Sequence, residues 1–93
     1  MVPAPAPYHQ ETSARIYLIL NTFVTERDIG RVYYAPCDVM LSEENVVQPD
    51  IFFISKERKH IIGEKNIKGI PDLVVEILSP YTEKIDRTLK VEL

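Results

Sequence analysis

Asp50 and Glu76 each belong to an apolar run, PDIFFIS at residues 49–55 and PDLVVEILSP at residues 71–80. If the two runs are strands lying side by side, their carboxylates can meet, and facing carboxylates repel unless a cation lies between them. Hard oxygen donors suit Mg²⁺ or Mn²⁺. A divalent ion held that way can lower the pKa of a bound water and stabilise charge on a phosphate during displacement. A lysine beside it would orient or help deprotonate the water and offset phosphoryl charge, and Lys90 is the candidate. Glu76 carries the strongest argument. It interrupts the branched apolar stretch Leu73 to Leu78, and an unpaired carboxylate in a dry interior costs several kcal/mol or takes up a proton. The plain alternative is that Asp50 caps a strand and Glu76 pairs with a Lys or Arg in a structural salt bridge. Asp86 and Lys90, spaced i,i+4, would then be a surface pair worth about 0.3–0.5 kcal/mol.

The elements that must position these groups follow from periodicity. Residues 1–8, rich in Pro and small side chains, read as a flexible arm. From His9 to Thr25, Ile16, Ile19, Leu20, Phe23 and Val24 recur at the spacing of one helix face. Glu11 near its start suits the helix dipole, a structural reading set against a place in the site. Gly30 supplies the freedom that ends the helix. RVYYAPCDVML then reads as a strand in which Pro36 marks an edge, a bulge or a break. Asp38 just beyond it faces either solvent or a cleft.

IFFIS is apolar on both faces and reads as a central strand, with Asp50, Phe52 and Ile54 on one side and Ile51 and Phe53 on the other. KERKHIIGEKNIKG is a solvated loop or a basic flap touching phosphates. In the last strand Asp72, Val74, Glu76 and Leu78 share a face, and Asp72 either starts a turn or lines the cleft. Thr82 is a candidate N-cap for a closing helix whose stripe is Ile85 and Leu89.

Ninety-three residues make at most one small domain, and the 45% hydrophobic and 27% charged content is that of a globular chain. No apolar run approaches the roughly 20 residues of a membrane-spanning helix. The first residues lack the basic start and apolar centre of a secretory signal, so no membrane and a cytoplasmic location are expected. The net charge of −3 gives no global attraction to nucleic acid, yet an acid cluster that holds metal ions is negative until they bind. Cys37 is the only cysteine, which excludes a disulfide within the chain and a multi-cysteine zinc site. It reads as a small buried residue. A nucleophile would need a nearby His and a lowered pKa, whereas His9 and His60 lie in polar segments.

QPDIFF, PDLVVEILSP and the Asp86–Lys90 pair together resemble the Uma2 family of restriction endonucleases, within the PD-(D/E)XK nuclease superfamily. The resemblance spans about His9 to Lys90 and is most specific at Pro49-Asp50 and PDLVVEILSP. It implies an α/β fold with a restriction-endonuclease-like core in helix-strand-strand-strand-helix order. Residues 9–93 would form a partial domain that lacks the family's C-terminal strands, with a second copy or another chain covering the exposed sheet edge. The implied activity is metal-dependent hydrolysis of phosphodiester bonds in DNA with Mg²⁺ or Mn²⁺. By resemblance Asp50 matches the acid of the PD element and Glu76 the second acid, both as metal ligands. The usual lysine position is Leu78 here, and Lys90, in Asp-x-x-x-Lys spacing with Asp86, is the matching residue on the following helix. The alternative is a catalytically silent, truncated nuclease-like fold that serves as a binding or assembly module.

Overall fold

A computed structural model of the chain describes residues 6–78 and the backbone of residues 89–92. It opens with helix α1 (Pro7–Arg27). Pro7 sits in the first turn, where a missing N–H costs nothing, so the helix begins inside the stretch read as an arm. The left-handed residue that ends it is Asp28 (φ 50°, ψ 49°), not Gly30. The N–H of Ile29 donates to the Val24 carbonyl and that of Asp28 to Thr25, closing the last turn.

Among the described residues seven strands follow: β1 (Gly30–Tyr34), β2 (Val39–Met40), β3 (Val46–Val47), β4 (Ile51–Ser55), β5 (Ile67–Lys68), β6 (Leu73–Ile77) and β7 (Leu89–Glu92), with a 3-10 helix over Lys56–Ile61. The main sheet has the order β1-β4-β6-β7, each neighbour antiparallel. The three strands expected from the sequence are therefore adjacent, with β4 inside, and the helix-plus-sheet architecture agrees with the expected α/β class. Pro36 is a break: the chain leaves β1, and β2 joins a second sheet of order β3-β2-β5.

β4 is buried on both faces as its sequence requires. Ile51 joins Val24, Val32, Val75 and Ile77 under α1, with Ile16, Tyr17, Leu20 and Phe53 packed against them. Phe52 and Ile54 join Val39, Ile61 and Ile67 under the small sheet. Tyr33 lies directly across from Phe52 in the register, and their rings stack at 5.5 Å. The inner stripe of α1 is thus Ile16, Tyr17, Leu20 and Val24, whereas Ile19 and Phe23, assigned to the buried face, point outward.

Two further expectations are corrected. Glu76 is not lodged in the interior: it is exposed between buried Val75 and Ile77, because the even-numbered face of β6 loses its cover beyond half-buried Val74. Among the described residues no ionisable side chain is buried. The closing helix read from Thr82 lies outside the described residues over 82–88, but Leu89 and Lys90, assigned to it, belong to β7 instead. Alternation of apolar and polar residues in Leu89-Lys90-Val91-Glu92 suits a strand. β7 occupies the edge of β6 that the sequence reading left open.

The β4–β6 ladder is held at its far end by Asp72. Its carboxylate accepts the N–H of Ser55 at 2.6 Å and lies 3.5 Å from the Arg58 guanidinium, while its own N–H donates to Phe53. Burial pushes this carboxyl upward, but the Ser55 N–H and Arg58 outweigh it, and Asp72 ionises below the usual carboxylate range. A depressed folded-state pKa gives stability that is present above the unfolded value and lost as pH falls through the folded one.

Asp72→Asn is therefore expected to cost about 1 kcal/mol at pH 7, since the site is partly exposed and screened, with the difference from wild type shrinking below about pH 4. Urea unfolding at pH 7 and pH 3 measures both. Gly30 lies across from Ser55, and a Cβ there would overlap the Ile54 carbonyl oxygen and sit 2.6 Å from the Phe53 ring. Gly30→Ala should lower stability by about 1–3 kcal/mol or more in the same assay.

Candidate carboxylate site at the head of the central strands

The site grows from the near end of the same ladder. Pro49 is buried and fixes the chain where it enters β4, and Asp50 follows one residue before the strand. The Asp50 carbonyl accepts the N–H of Ala35, so its backbone continues the pairing with the β1 side. Its carboxylate does for β6 what Asp72 does for β4: Oδ2 accepts the N–H of Ile77 at 2.8 Å. The other oxygen lies 3.2 Å from His9 Nε2 on the first turn of α1, with both side chains about a quarter exposed, at 23%. Asp50 thus ties the helix to the end of a strand with a single group.

The register brings the expected residues into line. Ile51 pairs with Val75, and one step further along the ladder sets Asp50 across from Glu76. Glu76 in turn pairs with Lys90 of β7. An acid, an acid and a lysine therefore follow one another across three neighbouring strands at one level of the sheet. Lys90 reaches this place from a strand, not from the helix that its spacing with Asp86 suggested. Asp86 lies outside the described residues. Among the described residues no group of three or more His, Cys, Asp or Glu is gathered as a metal cluster would be.

The other candidates are placed elsewhere. Asp38 is exposed and its carboxylate accepts the Gln48 side-chain N–H at 2.7 Å. The basic segment begins where β4 ends, away from Asp50, and two of its cations are engaged, Lys56 with Asp28 and Arg58 with Asp72. Cys37 is half-buried, and burial together with the Asp38 charge pushes its thiol up, which opposes a nucleophilic role. His9 is the residue that the sequence did not reveal. Read as part of a polar helix end, it meets Asp50 across 41 residues of chain, and no local spacing records such a contact.

The profile of the Uma2 family, described as "Putative restriction endonuclease", matches residues 1–93. The chain belongs to the Uma2 family. No curated protein matches it. In this chain Pro49-Asp50 and PDLVVEI have the placement just described, at the head of one central strand and along its neighbour. No helix among the described residues is long and apolar enough to cross a membrane.

Asp50 supports the fold whatever else it does. Asp50→Ala should leave the Ile77 N–H without its acceptor and cost about 1–3 kcal/mol, whereas Glu76→Ala, at an exposed position, should stay within about 0.5 kcal/mol of wild type. Thermal and urea unfolding of the two variants distinguishes them.

Proposed function

We propose that this Uma2 chain is a nuclease domain that hydrolyses phosphodiester bonds in DNA at the head of β4 and β6. The observation that carries the reading is the row of Asp50, Glu76 and Lys90 across three adjacent strands. A buried acid is not needed for it. Exposure of Glu76 supports the reading better, since a carboxylate that must meet a phosphate and water has to be reachable.

The donor chemistry at this place suits a hard divalent cation. Asp50 accepts the Ile77 N–H on one oxygen and has His9 Nε2 3.2 Å from the other, and a carboxylate offers about four acceptor positions. With two carboxylates and no larger cluster among the described residues, the fit is to an ion that keeps most of its waters, as Mg²⁺ does, with Mn²⁺ as its substitute. Asp50 and Glu76 would hold it; when bound it supplies an acidified water and charge stabilisation at the phosphate. His9 and the Ile77 N–H fix the Asp50 carboxylate in orientation, the kind of outer support on which such ligands depend. Lys90 is assigned the water-orienting role and offsets charge on the phosphoryl group. The reading also puts the chain in the cytoplasm, where its lone Cys37 stays reduced.

One observation favours a second reading, a silent nuclease-like fold that serves binding or assembly. Asp72 repeats the Pro-Asp arrangement and caps a strand end with no site beside it, so the capping by Asp50 could be its whole role. Cleavage of supercoiled plasmid in Mg²⁺ or Mn²⁺ separates the two. The nuclease reading expects cleavage by the wild type and a loss of at least about 100-fold in Glu76→Gln, the scale of removing several kcal/mol of charge stabilisation, with folding unchanged. Equal cleavage by the variant sinks the site, and no cleavage by a folded wild type leaves the silent module.

A further inference from the structure

We infer that the outer face of α1 is the contact surface of a two-fold homodimer, in which a second copy of this chain lays its own α1 antiparallel across it. The inference stands apart from the nuclease reading. A helix that packs on one sheet needs one apolar stripe, and Ile16, Tyr17, Leu20 and Val24 already supply it. Yet Leu18 is 64% exposed, Ile19 71% and Phe23 47% on the other side. Three large apolar residues within two turns of one helix form a patch, unlike the scattered single residues an ordinary surface carries.

The order of residues in that patch identifies its occupant. Arg15, Leu18, Ile19, Thr22, Phe23 and Glu26 are all exposed and share the outer side at helical spacing. They are disposed symmetrically about the midpoint between Leu20 and Asn21. An antiparallel copy centred there sets Arg15 against Glu26 of the second chain, Leu18 against its Phe23, and Ile19 against its Thr22, and then repeats each pair in reverse. Arg15 and Glu26 stand about 16 Å apart along their own helix and cannot pair within one chain. Across the dyad both are matched. Arg15 and Glu26, of opposite sign at the two ends of the apolar centre, make this stretch of the face complementary to itself in the antiparallel orientation, whereas the parallel one would place like charges together. Arg27 stacks on the Phe23 ring at 3.8 Å and fixes it as a contact group. A single helix face buries less than a standard interface, so the dimer should be weak, with Kd on the order of 100 μM.

Sedimentation equilibrium of the full chain between about 5 and 500 μM tests this, with circular dichroism to verify folding of each variant. The expected result is a monomer–dimer equilibrium that Ile19→Asp abolishes. Arg15→Glu and Glu26→Arg should each weaken it about tenfold, because two attractive pairs per dimer become repulsive. The double variant R15E/E26R should regain the wild-type constant, since exchange of the two charges restores both pairs. A chain that stays monomeric throughout overturns the inference, and so does one that instead sediments with lipid vesicles. A dimer indifferent to Ile19→Asp, a double variant that fails to recover, or growth into larger assemblies also overturns it, because an isologous contact closes at two.

Discussion

The antiparallel ladder between β4 and β6 is fastened at both ends by an aspartate, and the rest of the molecule is arranged around that pair. Each strand is entered through a buried proline followed by the acid, Pro49-Asp50 and Pro71-Asp72. Each acid accepts the N–H that the other strand leaves unpaired where it ends, Ile77 and Ser55 respectively. An unsatisfied backbone donor near the core is costly, so the two carboxylates set where the ladder stops as well as where it starts. The free oxygens are then used differently. Asp72 takes Arg58 and becomes a closed structural clamp, while Asp50 takes His9 and stays at the open head of the sheet, across from Glu76.

That symmetry explains why the Pro-Asp signature is both informative and ambiguous. A dipeptide that fixes the chain and then caps a neighbouring strand is useful in any hairpin-like pairing of two buried strands. What distinguishes the first copy is its surroundings: a residue from a distant helix on one side and an accessible glutamate on the other. On the proposed nuclease reading, chemistry on a large anionic substrate would use a carboxylate that is held firmly beside one that is reachable.

Much of this was readable in the residues. IFFIS is apolar at every position but its last and became the doubly buried strand, because a five-residue strand with greasy side chains on both faces has no stable place at an edge. Pro36 broke the second segment, as a residue without a donor must in a continuing ladder. What failed was set by neighbours far along the chain. Glu76 was read as buried from its flanks, yet whether a strand face is dry depends on what lies over it, and the cover ends at Val74. Ile19 and Phe23 share an apolar period with Leu20 and Val24, and with apolar residues all round the helix, periodicity alone cannot choose which flank meets the sheet. Lys90 has helical spacing to Asp86 and strand alternation with its other neighbours, and pairing with β6 decided in favour of the strand. His9 and Asp50 have no local relation at all.

The unequal burdens of the two acids bear on how such a domain can drift. Asp50 is bound into the backbone framework, so the fold would retain it even in a chain whose function made no use of it. Glu76 is exposed and belongs to neither hydrophobic core, so its exchange should leave both intact. On the proposed nuclease reading, loss of catalysis would be mechanically easy and would leave the scaffold intact, so that Glu76 rather than Asp50 would tell a silent descendant from an active one.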